Sequence, residues 1–206
     1  MILSTLRKTM AVAAFGCMIA LSPASPAQAD NPQKATTFIQ ELGGKAIDTI
    51  TDKSLAEEER LSKFRTLLNQ NFDVPGIGRF VLGRYWRTAT PEQQQEYLKL
   101  FEESIVRTYA ARFREYSGEK LAVDNARADG DRFMLVDSKI QRPSGPPVAV
   151  TWRLFNDNGG FKIVDVVVEG VSMSVTQRSD YSSVIQSNGG NFDALLKAMR
   201  ERLSRV

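Results

Sequence analysis

The spacing of apolar residues changes twice along this chain of 206 residues, and that change constrains the fold most strongly. Up to residue 116, apolar side chains recur every three to four positions, the period of an amphipathic helix. From residue 121 to residue 168 they recur at every second position, as in strands that bury one face. The helical period then returns. We therefore predict a single-domain α+β fold, with helices packed over one face of a curved antiparallel sheet.

The longest predicted helix begins at a recognisable signal. Thr90 suits the capping position, Pro91 suits the first helical position, and Gln93 completes a capping box. Ser54 and Glu57 predict a second capping box, for the helix before it. The long helix carries an aromatic stripe, which we expect to face the dry side of the sheet. This stripe consists of Tyr97, Phe101, Ile105, Tyr109 and Phe113, with Tyr116 near its end.

Two of the predicted strands are joined by the turn sequence Asn-Asp-Asn-Gly-Gly at 156–160. One antiparallel register gives both a favourable charge pair and favourable apolar pairs across these strands. That register places Arg153 opposite Asp165, Trp152 opposite Val166, and Leu154 opposite Val164.

Residues 1–29 have the pattern of a secretory signal peptide. Basic residues at 7 and 8 precede an apolar run over 10–21, and Ala-Gln-Ala directly before residue 30 suits signal peptidase. The apolar run is shorter than the ~20 residues of a membrane-spanning helix, which disfavours an uncleaved anchor. We expect the signal peptide 1–29 to be removed, leaving one exported domain over 30–206.

The composition excludes several classes of function. The chain has no histidine, and its one cysteine, Cys17, lies within the predicted signal peptide. Catalytic systems built on histidine or on a thiol, and nearly all zinc sites, are therefore excluded for the exported domain. The formal net charge of +3 falls by two when the signal peptide is removed, because it contains two basic residues. A net charge so near zero does not indicate binding to nucleic acid. We expect neither a metal nor a cofactor.

Carboxylates on the predicted strands leave one enzymatic alternative open. Asp137, Asp165 and Glu169 lie on or beside strands, and a buried carboxylate can act as a general base. An enzyme using Asp165 on an apolar substrate is therefore an alternative, although the predicted pair with Arg153 gives that residue a structural role. A chaperone or adaptor, whose groove holds an apolar protein segment, is the second alternative.

Several segments resemble the MlaC-like, or toluene-tolerance, family of periplasmic phospholipid-binding proteins. The longest is 72–93, which reads FDVPGIGRFVLGRYWRTATPEQ. The shorter ones are Thr-Tyr-Ala at 108–110, Val-Asp-Val at 164–166, Glu-Gly-Val-Ser-Met at 169–173, and Gln-Arg-Ser at 177–179 with Tyr181 after it. The similarity extends over essentially the whole exported domain.

This resemblance implies a fold similar to nuclear transport factor 2 and a pocket between helices and sheet that encloses acyl chains. It implies a periplasmic carrier, not an enzyme, that shuttles phospholipid and maintains outer-membrane lipid asymmetry. The implied partners are an inner-membrane ABC transporter complex and an outer-membrane lipoprotein complex. The chain has Thr-Gln-Arg at 176–178 where the family often has Asn-Tyr-Arg, a form similar to relatives linked to hopanoid lipids. The cargo is thus a phospholipid or a related lipid.

Within this resemblance, the apolar faces of the predicted elements supply the candidate lipid contacts. They are Val74, Phe80, Val81, Phe101, Ile105, Tyr109, Val150, Trp152, Val166 and Val168. Three arginines, Arg79, Arg84 and Arg87, cluster before the long helix. We expect them to contact a phosphate head group or the acidic surface of a partner.

Overall fold

Helices flank a block of strands in the computed structural model, which describes residues 32–113, 115–157 and 160–205. The predicted signal peptide lies outside the described residues. The helices are α1 (Pro32–Thr51), α2 (Glu57–Asn71), α3 (Val74–Leu82), a 3₁₀ helix (Gly83–Arg87), α4 (Pro91–Phe113), α5 (Met173–Ser187) and α6 (Phe192–Leu203). The strands are β1 (Lys120–Asp129), β2 (Phe133–Gln141), β3 (Val148–Asp157), β4 (Gly160–Val168) and β5 (Val171–Ser172).

The five strands form one open, curved, antiparallel sheet in the order in which they follow along the chain. The predicted α+β fold, with a curved antiparallel sheet and covering helices, is therefore confirmed. The pairing shifts register between Val123 and Asn125 in β1, and again between Arg153 and Leu154 in β3. Irregularities of this kind bend a strand and increase its twist, which suits a curved sheet.

The predicted register between β3 and β4 is correct in part. Trp152 lies opposite Val166, and Arg153 lies opposite Asp165, as predicted. Leu154 lies opposite Ile163, so the predicted pairing with Val164 is wrong. The reason is the register shift between Arg153 and Leu154, which is a β-bulge: Val164 is an extra residue of β4 with no partner in β3.

The predicted ion pair between Arg153 and Asp165 is also wrong, although their Cα atoms are partners. The Nε of Arg153 donates to Asp129 of β1 at 2.8 Å, and its guanidinium lies 4.1 Å from the centre of the Phe133 ring. Asp165 instead binds groups at the start of α5. The long Arg153 side chain reaches across β2 on this face, so the residue opposite it in register is not its ion-pair partner.

Two apolar clusters hold the described part of the fold together. The first combines α1 with the inner face of the sheet, and its buried residues are Ala35, Ile39, Leu42, Met134, Val136, Leu154 and Ile163. The second is a helical core in which Tyr97 and Phe101 of α4 stack, with ring centres 5.6 Å apart, beside Tyr181 and Phe192. Phe72 packs against both clusters.

The long helix α4 packs on α2, α3 and α6, whereas α1 lies against β1 and β2. The expectation that the aromatic stripe of α4 faces the sheet is therefore wrong, because Tyr97 and Phe101 lie in the core between the helices. The predicted cap of α4 is confirmed: Thr90 and Gln93 exchange hydrogen bonds of 3.0 and 3.3 Å. The cap predicted for α2 is wrong, because Ala56 occupies its capping position and the Ser54 hydroxyl donates to Asp52.

Candidate functional site

The inner face of β3 and β4 is apolar and incompletely covered. Val150 lies opposite Val168, and Trp152 lies opposite Val166, so these four side chains share one face of the sheet. Val150 is only 3% exposed, whereas the other three are half-buried. Thr151 points to the outer face, where its hydroxyl donates to Asp137 at 2.7 Å. The inner face thus offers partly accessible apolar surface beside the α1 cluster.

The two polar side-chain groups nearest to this surface satisfy each other. The indole N–H of Trp152 donates to the Ser138 hydroxyl at 2.9 Å, and that hydroxyl donates to the Val150 carbonyl at 3.0 Å. Ser138 is 3% exposed, so water does not compete for these bonds. Because a buried polar group without a partner is costly, this pairing keeps the surface suited to an apolar ligand.

The predicted lipid contacts on the helices fall into two groups. Val74, Val81 and Phe101 are buried in the helical core, and Ile105 packs against it. Phe80 is 45% exposed and Tyr109 is 43% exposed, a large fraction for such apolar rings. The structure therefore separates these residues from one another, and their role as lipid contacts stays a prediction.

Two surface clefts are lined by residues other than the predicted lipid contacts. A cleft of about 410 Å³ between α1 and α2 is lined by Lys45, Asp48, Thr49, Ser62, Lys63, Thr66 and Leu67. A second, of about 290 Å³, is lined by Phe72, Asp73, Pro75, Phe155 and Lys162. Both linings include charged side chains, which suits water better than acyl chains.

Asp165 holds the start of α5 against the sheet. Its carboxylate accepts hydrogen bonds from the Val166 and Ser174 backbone N–H groups at 2.9 and 3.1 Å, and from the Ser172 hydroxyl at 2.6 Å. The Ser172 hydroxyl in turn accepts from Val175 N–H and caps the helix. The carboxylate thus has a structural role. Within the described ranges, no group of acidic, histidine or cysteine side chains is arranged to hold a metal ion.

The three predicted arginines are exposed, and two of them contact aromatic rings. The Arg79 guanidinium lies 5.7 Å from the Trp86 ring centre, and that of Arg84 lies 4.9 Å from the Tyr85 ring centre. Arg84 also donates to the Tyr85 hydroxyl at 2.9 Å, which lowers the pKa of that hydroxyl. Arg87 ends the 3₁₀ helix. Over the residues that the structure describes, none of the three arginines forms an ion pair with a carboxylate.

Sequence reasoning did not assign a site role to Arg178 of α5, which joins this group. Its guanidinium lies 5.1 Å from the centre of the Phe80 ring. It also lies against Gly83, where a Cβ atom would be 2.5 Å from the arginine. Gly83 has a φ of +54°, so this position requires glycine on two counts. Arg178 and Gly83 both lie in segments that carry the family resemblance. They are far apart along the chain, however, and nothing in the sequence indicated that they are in contact.

No helix in the described part of the chain is both long and apolar enough to cross a membrane.

The model of the family described as "MlaC protein" matches residues 40–201. The toluene tolerance protein ttg2D of Pseudomonas putida is 30% identical over 128 residues, which are 62% of this chain and 60% of that protein. The intermembrane phospholipid transport system binding protein MlaC of Haemophilus influenzae is 29% identical over 132 residues, 62% of this chain and 61% of that protein. The matched part thus spans about three fifths of the length of these curated relatives.

A solved structure has the same fold over most of its length. It is the phospholipid-binding protein from Ralstonia solanacearum in complex with a phospholipid, with a TM-score of 0.72 and 27% sequence identity. The match covers 83% of this chain and 97% of that structure.

Proposed function

Because the chain belongs to the MlaC protein family, we propose that it is a carrier that binds phospholipid acyl chains and shuttles the lipid across the periplasm. In this proposal it exchanges lipid with an inner-membrane ABC transporter complex and an outer-membrane lipoprotein complex. The signal peptide 1–29 directs it to the periplasm and is then removed, and the domain 30–206 contains the lipid site.

The observation that carries the proposal is the half-buried apolar surface of β3 and β4. Its polar neighbours, Trp152 and Ser138, satisfy each other, so a hydrocarbon chain on this surface leaves no buried hydrogen-bonding group unpaired. The solved structure of similar fold is named as a phospholipid complex, which supports the same class of ligand.

The energetics explain why a carrier is needed. Each methylene removed from water contributes ~0.8 kcal/mol, so two acyl chains of ordinary length oppose transfer through water by roughly 20 kcal/mol or more. A protein surface that shields the chains offsets most of this cost. Exchange between carrier and membrane complex is then nearly balanced, and direction depends on which partner favours the loaded or the empty carrier.

We propose that the acyl chains contact Val150, Trp152, Val166 and Val168 first. Val74, Val81, Phe101 and Ile105 become accessible to the chains only where the helices separate. Phe80 and Tyr109 are exposed already, and we propose that they contact the chains outside the helical core. Arg79, Arg84 and Arg87 lie exposed at one end of α3 and contact the head group or an acidic partner surface.

The bonds of Asp165 favour a carrier over the enzymatic alternative. Its carboxylate oxygens accept three hydrogen bonds that position α5, so they are engaged in holding the fold. A general base must instead have a lone pair directed at a substrate proton.

A lipid-transfer assay tests the proposal. Donor vesicles contain a self-quenched fluorescent phosphatidylcholine, acceptor vesicles contain none, and the purified chain is added at increasing concentration. We expect transfer whose rate rises with the concentration of the chain. Absence of transfer would contradict the proposal, and turnover of an ester substrate abolished by Asp165→Asn would support the enzyme instead. Suppression of aggregation of an unfolded protein, without transfer, would support the chaperone.

A further inference from the structure

The geometry points to Glu169 as a positioning residue that holds the end of the apolar surface closed and so slows release of the lipid. Glu169 is exposed and directly follows Val168, the last residue of β4. This inference rests on the proposed function. It gives Glu169 an effect on the lipid that is exerted through the pairing of β3 with β4.

Glu169 occupies a position at which the turn favours other residue types. Val168 pairs with Val171, so Glu169 and Gly170 form a two-residue loop between β4 and β5. Their φ angles are +49° and +80°, as a type I′ turn requires, and this turn prefers Asn, Asp or Gly at its first central position. Within the described ranges, Glu169 is the only residue other than glycine with a positive φ. We therefore expect a contact of its side chain to offset the strain.

That contact is with Ala149 of β3. In a regular antiparallel ladder, a hydrogen-bonded pair of residues exchanges two backbone hydrogen bonds. One of the two is present here, because the Glu169 N–H donates to the Ala149 carbonyl at 3.0 Å. The Ala149 N–H, however, donates to the Glu169 carboxylate. The side chain thus takes the place of a backbone acceptor and completes the last pair between β3 and β4.

This last pair closes the ladder at the end of the apolar surface. The pair before it is Val150 with Val168, both on the inner face, and after Glu169 the chain turns away from β3 into the two-residue strand β5. Among the described residues, neither valine belongs to either buried cluster. Opening of the pair formed by Ala149 and Glu169 would therefore let the two valines separate and widen this end of the surface.

The bond is suited to control release without controlling stability. Loss of one such hydrogen bond raises the population of the open pair by about two- to tenfold, and release through the open state accelerates by the same factor. Asparagine suits the first central position of the turn, but its side chain is one methylene shorter than that of glutamate. Glu169→Asn therefore removes the contact with Ala149 and relieves the strain of the turn.

A release assay tests the inference. The purified chain is loaded with a phosphatidylcholine that has a pyrene-labelled acyl chain and is mixed with excess unlabelled phosphatidylcholine vesicles. The rate constant for loss of label is measured, and thermal melts are taken on the same preparations. For Glu169→Asn we expect release about two- to tenfold faster, with a melting temperature at or above that of the wild type. Glu169→Gln retains the length and an acceptor oxygen, so it should keep most of the slow release.

Two further variants serve as controls. Asp131→Asn removes an exposed carboxylate from the turn between β1 and β2, at the other end of the sheet, and should change neither the release rate nor the melting temperature. Glu169→Gly also suits the turn and lacks the carboxylate, so it should release lipid as fast as Glu169→Asn. It replaces that variant if the melts show it to be unfolded.

The possible results separate the inference from the proposed function. Release at the wild-type rate by Glu169→Asn would overturn the inference while the carrier function stands. Equal acceleration by Glu169→Asn and Glu169→Gln would attribute the effect to charge and overturn it as well, as would a fall in melting temperature that parallels the faster release. A wild-type chain that takes up no labelled lipid would overturn the proposed function itself.

Discussion

Replacing Val166 with tryptophan should abolish lipid binding without unfolding the protein. Val166 lies on the inner face opposite Trp152 and is half-buried, so an indole there would take the place of cargo. Tryptophan has about seven more non-hydrogen atoms than valine and displaces a similar number of methylene groups. At ~0.8 kcal/mol each, the loss of binding free energy reaches about 5–6 kcal/mol, or about 10⁴-fold in affinity.

The same substitution has the opposite result if this face is ordinary core. Overpacking a close-packed interior costs ~1–3 kcal/mol, which lowers the melting temperature by roughly 2–12 °C for a chain of this size. Lipid bound elsewhere would then be retained. If the surface holds acyl chains, the variant loses its lipid and keeps its stability. If the surface is ordinary core, the variant loses stability and keeps its lipid.

The assay measures lipid content by mass spectrometry and thermal stability on the same preparations. Thr151→Trp is the control, because its side chain lies on the outer face and should leave the lipid content at wild-type level. Val150→Trp tests a more enclosed position of the same surface, since Val150 is 3% exposed. Early melting with full lipid content in both valine variants would refute the assignment of this surface to acyl chains.

Three other predictions follow from single contacts. Ser138→Ala should lower the free energy of unfolding by ~1–3 kcal/mol in chemical denaturation, because the Trp152 indole N–H loses its buried acceptor. Stability should fall as the pH rises from 10 towards 12, because burial raises the pKa of Tyr181 to about 12 and the unfolded chain releases the phenolic proton at a lower pH than the folded chain. Thermal melts taken across this pH range should show a smaller loss of stability for Tyr181→Phe. The hydrogen bond from Arg107 lowers the pKa of Glu103, so its stabilisation is present above 4.5 and is lost as the pH falls through the lowered pKa. Glu103→Gln should therefore make acid unfolding less steep, and an unchanged slope would exclude that contribution.

Features set by local sequence were predicted correctly. The change of apolar period gave the α+β fold, and the capping pair Thr90 and Gln93 gave the start of α4. The pairing of Trp152 with Val166 followed from alternation, because both strands are regular at that point. Each of these depends on neighbours along the chain or on one uninterrupted pair of strands.

Features set by irregular or distant contacts were not predicted. The bulge in β4 shifts the pairing of Leu154 by one residue, and no residue type at Val164 signals it. Arg153 reaches Asp129 across β2 because both project from the outer face, a relation that requires the order of three strands. The contact of Arg178 with Gly83 depends on how α5 packs on α3, which apolar spacing along either helix does not determine.

The most direct test of the carrier function is the lipid stoichiometry of the chain after expression in a bacterium that exports it. Native mass spectrometry, followed by lipid extraction, measures the mass of bound material and identifies it. We predict one non-covalently bound lipid per chain, released by organic solvent and carrying phosphorus. A chain that emerges from its periplasm without lipid, and that takes up none from vesicles, would contradict the account.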